Sequence, residues 1–102
     1  MPYLFERLDN GWRDFAECRA NIDELPSVYL RRLYYDTVSF SRPSLELALA
    51  QVGADHLVMG SDYPHLLGSI ERGVSSIESL ATGQTEKDAI FSANARRILN
   101  NL

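Results

Sequence analysis

The spacing of apolar residues changes several times along the chain, and each change predicts an element. Pro2 suits a helix start, and Tyr3, Leu4, Phe5 and Leu8 make a short apolar face. Asp9-Asn10-Gly11 is expected to end it, because Asn and Gly tolerate positive φ. Trp12 to Ala20 predicts a second short helix with Trp12, Phe15 and Ala16 on one face. Asn21 to Pro26 reads as a loop, and Ser27 as the cap of a short turn through Arg32.

From Leu33 the pattern turns to aromatic and β-branched residues, and Leu33 to Phe40 predicts a strand. Ser41-Arg42-Pro43-Ser44 is a helix-start signal. Leu45, Leu47, Ala48 and Val52 form its stripe, and Gly53 its stop. Asp55 to Asp62 predicts a second strand with a continuously apolar centre, as in a strand buried on both faces. Tyr63-Pro64-His65 and Gly68 predict a turn, followed by a helix over Ser69 to Leu80. Thr85 with Asp88 predicts the N-cap of a further helix, and a last short helix holds Asn94 to Leu99. Strand, helix, strand is the signature of a βαβ unit, so the fold class is α/β with two parallel strands and surrounding helices.

Composition narrows the function classes. The chain has 102 residues, 45% hydrophobic and 24% charged, which is ordinary for a globular domain rather than a disordered one. A formal net charge of -4 with no basic cluster argues against nucleic acid or an anionic membrane as partner. Cys18 has no cysteine to pair with and reads as a small helix residue; this and the lack of a signal-peptide pattern point to the cytoplasm.

In parallel α/β folds the chemistry gathers at the C-terminal ends of strands, and Asp62 stands at such an end. A carboxylate there can ligate a metal or exchange a proton with a metal-bound water. It can equally cap the following turn by accepting backbone N–H groups, and spacing alone does not separate the two roles. His65 follows in the loop, where a solvated histidine is the commoner outcome, and His56 opens the strand at the opposite end. HxH, HExxH, CxxC, phosphate-loop and GxSxG patterns are all absent, so two histidines cannot complete a His-rich metal site. Ser61 is a poor partner for Asp62 and His65 in a triad, since neighbours on a strand face opposite ways.

Four segments resemble, in order, the amidohydrolase-related decarboxylases and hydrolases of the aminocarboxymuconate-semialdehyde decarboxylase type. They are PYLFERLDNGW, YLRRLYYDTVSF, GADHLVMGSDYPH and SANARRILNNL, and together they span nearly the whole chain. The resemblance implies a (β/α)8 barrel of about three hundred residues. It makes residues 1–102 a partial, C-terminal piece of such a barrel: the last two β/α units plus terminal helices.

The resemblance also implies a divalent metal, zinc being the expected ion, bound in the parent by an HxH, a later histidine and an aspartate ending the last strand. Asp62 matches that aspartate, and Arg7 matches an arginine that contacts substrate carboxylate across a dimer interface. The family's HGG segment would stand immediately before Met1. Glu6, Asn10 and Ser39-Phe40-Ser41 depart from the family pattern, which bears on Arg7 more than on Asp62. A metal-dependent hydrolase or carboxy-lyase acting on a small carboxylated substrate is therefore expected, inactive and without bound metal in this chain alone. Its partners would be that substrate, a missing N-terminal barrel portion, or further copies of the chain. A non-catalytic remnant that associates through exposed strand edges is the alternative.

Overall fold

A computed structural model describes residues 1–102, which divide into two compact units, Met1–Leu33 and Tyr34–Leu102. In the first unit a 3-10 turn, Pro2–Leu4, leads into helix α1, Phe5–Asp14. The predicted break at Asp9-Asn10-Gly11 does not occur. Phe5 and Asp9, one turn apart, are both buried, and the Asp9 carboxylate accepts the Ser27 N–H at 2.8 Å. That bond caps helix α2, Pro26–Leu30, from outside, where the positive end of the helix dipole favours an anion. Asp9 is thus bound to a partner in space rather than to its local turn. Ser27, expected as the cap, supplies the capped N–H instead. Beyond α1 a 3-10 turn, Ala16–Arg19, replaces the expected second helix, and Cys18 is exposed on it.

The second unit holds the βαβ unit. Strand β1, Tyr35–Asp36, pairs in parallel with β2, Leu57–Val58, in the register Tyr35 to Leu57 and Asp36 to Val58. Both are shorter than predicted: Val38 and Ser39 turn away after Thr37, a 3-10 turn, Ala54–His56, precedes Leu57, and β2 stops at Val58, so Asp62, expected to end the strand, stands in the loop beyond it. Burial raises the Tyr35 phenol above its ordinary pKa, so it stays neutral in the sheet. Helix α3, Arg42–Val52, joins the strands and ends at Gly53 with φ 84, a conformation that favours glycine. It buries Leu45, Ala48 and Val52; Leu47, placed on the same stripe by the sequence, faces outward.

Helix α4, Ile70–Glu78, starts where Ser69 accepts the Arg72 N–H at 3.1 Å, as expected of an N-cap. Helix α5, Gln84–Asp88, begins after Gly83 rather than at Thr85 and runs without a break through a π-helical turn, Ala89–Ala93, into α6, Asn94–Asn100. The core consists of Leu57, Ile77, Leu80, Ile90 and the α3 stripe. No helix is long and apolar enough to cross a membrane.

The C-terminal helix is tied to β2 by polar bonds inside this core. The Met59 N–H donates to the Ile90 carbonyl within the π turn, at 2.9 Å. Asn94, 1% exposed, donates its amide to the carbonyls of Ala54 and Leu57, each at 2.7 Å. Arg97 adds a bond to the Asp55 carbonyl at 2.7 Å. Asn94→Ala leaves two carbonyls without this donor, and unfolding in urea should show a loss of about 2 kcal/mol. An unchanged midpoint and slope would contradict the role given to Asn94.

Candidate functional site

The C-terminal ends of β1 and β2 lie close together. Thr37 is fully buried, and its hydroxyl accepts the Gly60 N–H at 3.2 Å. A Cβ at Gly60 would stand 2.6 Å from Val38 Cγ2 and 3.2 Å from Asp36 Cβ, so a side chain there would have to push the Val38 and Asp36 side chains aside. The Asp36 carboxylate turns back to accept the Val38 N–H at 2.9 Å. On the other side Gly73 of α4 packs on the same point: a Cβ there would lie 3.2 Å from the Gly60 carbonyl oxygen and from Met59 Cε.

Asp62 leaves this junction with φ 54, a left-handed conformation that Asp tolerates better than most residues. Its backbone closes the loop: the Asp62 carbonyl accepts the His65 N–H at 2.9 Å, and the His65 carbonyl accepts from Gly68 at 2.9 Å. The Ser69 N–H then returns to the Ser61 carbonyl at 2.8 Å. A Cβ on Gly68 would overlap the Asp62 carbonyl. The Asp62 side chain is exposed and takes no part in these bonds. The side chain that caps the turn is Ser61, whose hydroxyl accepts the Tyr63 N–H at 3.3 Å. Of the two roles open to Asp62 from spacing, the turn cap therefore falls to its neighbour, and the carboxylate is left facing solvent.

Ser61, Asp62 and His65 share this loop, while His56 lies at the far end of β2, stacked on Tyr34 at 4.8 Å between ring centroids. No three His, Cys, Asp or Glu side chains come together as a metal-holding group. The donors present fit one corner of a metal site, a single carboxylate, and do not make up a whole one.

Sequence reasoning passed over two residues at this end. Phe40 has φ 53, rare for a bulky residue and costing about 1–3 kcal/mol. Its ring lies under the Arg72 guanidinium, 4.8 Å from carbon to centroid. The positive φ has no local signature, since Phe is not a residue that marks such turns.

Arg7 lies in the first unit, exposed on α1, and lines a cleft of about 880 Å³ with Leu8, Asn10, Asp14, Phe15 and Cys18. Glu6, the acidic departure beside it, is turned to Arg13, which it meets at 3.1 Å, and Arg13 also donates to Asn10 at 2.7 Å.

The family model described as Amidohydrolase matches residues 2–100. Over 100 residues the chain is 27% identical to the 2-amino-3-carboxymuconate-6-semialdehyde decarboxylase of Caenorhabditis elegans, covering 97% of this chain and 25% of that protein. The enzyme of the same name from Dictyostelium discoideum is 22% identical over 102 residues, with 97% and 28% covered. Among solved structures, a dihydroxybenzoic acid decarboxylase from Polaromonas sp. JS666, with bound manganese and 2-nitroresorcinol, superposes with a TM-score of 0.81. It is 21% identical, and the match covers 97% of this chain and 30% of that one. A 2,6-dihydroxybenzoate decarboxylase from Rhizobium gives 0.81 at 22% identity, covering 98% and 31%. The fold is that of part of an α/β barrel, and the chain spans about a quarter of the length of the sequence relatives it matches.

Two substitutions test the loop. Gly68→Ala should cost about 2 kcal/mol or more, because the loop must open to admit a methyl group. Asp62→Asn should leave stability within about 0.5 kcal/mol, because the carboxylate carries no structural bond. Chemical denaturation of both variants checks this, and a large loss in Asp62→Asn would restore the turn-cap role.

Proposed function

This chain belongs to the amidohydrolase family, and on that premise we propose that it forms the C-terminal part of a metal-dependent decarboxylase or hydrolase of small carboxylated substrates. Asp62 is one ligand of the metal, and Arg7 binds a substrate carboxylate. The observation that carries the reading is the free Asp62 carboxylate, held in a left-handed conformation on the loop that follows β2, while Ser61 does the capping. Relatives named as decarboxylases, one of them crystallised with manganese, support the activity class.

A divalent ion, zinc in this reading, would polarise a substrate carbonyl or carboxylate oxygen. The residues of this chain do the positioning. Gly60 and Thr37 fix the strand end, Gly68 closes the loop behind Asp62, and Asp62 presents one anionic oxygen donor. Arg7 offers a planar fork that pairs with a carboxylate through two parallel hydrogen bonds. The remaining ligands would come from other barrel strands, so the chain alone should bind metal weakly and show no turnover.

A second reading, a non-catalytic piece that associates with other chains through its strand edges, is favoured by the apolar loop beside β2. There Tyr63 is 67%, Leu66 99% and Leu67 79% exposed. Such a surface promotes association with another chain or copy.

Titration of the chain with manganese, followed by paramagnetic broadening in NMR spectra, tests the first reading. Broadening should centre on Asp62 with a Kd of about a millimolar, and Asp62→Asn should abolish it. Tight stoichiometric binding would contradict the incomplete site, and broadening centred elsewhere would remove Asp62 from the role.

A further inference from the structure

The junction beside Asp62 holds a second charged group that the proposed function does not use. The Arg72 guanidinium rests on the Phe40 ring at 4.8 Å, and it enters no ion pair. Other arginines stacked on rings in this chain are engaged elsewhere as well. Arg19 donates to the carbonyls of Trp12 and Arg13, and Arg32 pairs with Glu24 at 2.8 Å. Arg72 is held by the ring alone, with its side chain exposed.

The placement is specific. Phe40 reaches it through the left-handed conformation at φ 53, and its ring edge lies 3.8 Å from where a Gly73 Cβ would stand. Gly73 itself sits over the Gly60 carbonyl. One turn earlier, Ser69 ties the start of α4 to the Ser61 carbonyl beside Asp62, at 2.8 Å. Arg72 therefore stands at the same end of the strands as Asp62.

A guanidinium with one face on an aromatic ring keeps its N–H groups in its own plane and free at its edge. The ring removes water from one face and limits the rotamers, so less freedom is lost when a ligand binds. A planar fork of donors matches a carboxylate bidentately. The surroundings disfavour a doubly charged anion, because Asp36, Asp62 and Glu71 lie on the same strand ends, loop and helix turn.

We propose that Arg72, presented on Phe40, is a carboxylate-binding residue beside the loop that carries Asp62, selecting singly charged planar carboxylates. The role in selecting substrate rests on the proposed function; the binding of a carboxylate does not.

The test is a titration of the full chain with sodium benzoate, observed at the Arg72 side-chain Nε–Hε and Phe40 ring signals. Sodium chloride at equal ionic strength, neutral benzamide and inorganic phosphate serve as controls. Both signals should move saturably with benzoate, and at least about tenfold more weakly with phosphate, while benzamide and chloride leave them in place. Arg72→Gln should weaken binding about tenfold, Arg72→Lys and Phe40→Leu by less.

Benzoate shifts that match those of chloride, or survive in Arg72→Gln, would overturn the proposal. If Arg72→Gln does not fold, the wild-type Nε signal and the Arg72→Lys variant decide it. The manganese titration separates the two ideas. Benzoate at Arg72 without broadening at Asp62 would sink the metal-site reading alone, and the reverse would sink this inference alone.

Discussion

The close approach of the two strand ends at Gly60 is the contact from which the candidate site follows. Thr37 takes the Gly60 N–H, Val38 and Asp36 fill the space a side chain would need, and Gly73 brings α4 down onto the Gly60 carbonyl. Three backbone segments meet at one residue without a side chain. Loop, helix and strand are therefore mutually fixed before any functional group is placed. Asp62 two residues later, and Phe40 three residues after Thr37, both leave this junction in left-handed conformations. Conformations of that kind persist where the surrounding backbone bonds and packing impose them.

Hydrogen bonding within each unit separates the structural carboxylates from the free one. Asp9 is buried and accepts the Ser27 N–H across the first unit, and Asp36 folds back onto Val38. Asp62 is surrounded by loop bonds that use its backbone only, so its side chain is available. An exposed carboxylate free of structural bonds, on a loop held by Gly60 and Gly68, can be spent on a ligand without weakening the fold.

Much of this was legible in the sequence, and the parts that were not have physical reasons. Pro43 and Gly53 bound α3, because these signals act within a turn of the residues that carry them. The parallel strand pair follows from two apolar runs separated by one helix. The Asp9-Asn10-Gly11 signal does not end α1 because Asp9 is satisfied by Ser27, a partner 18 residues away. The strands are shorter than their β-propensity predicts, because propensity does not show that Thr37 turns its hydroxyl to Gly60. The helix-start signal at Thr85 and the separate stretch Asn94 to Leu99 predict two helices, whereas the backbone runs on between them through a π turn that has no local signature. At the site, resemblance pointed to Asp62 and Arg7, but Thr37, Phe40 and Arg72 emerge only from packing.

The account rests on the bond between Thr37 and Gly60, and amide hydrogen exchange at Gly60 tests it directly. In the wild-type chain and in Thr37→Ser, where a hydroxyl remains, the Gly60 amide should be protected. In Thr37→Val, of similar shape but without the acceptor, it should exchange about tenfold faster, as loss of one hydrogen bond implies. Equal protection in all three would mean that Thr37 does not hold the strand ends together, and the placement of Asp62 would need another cause.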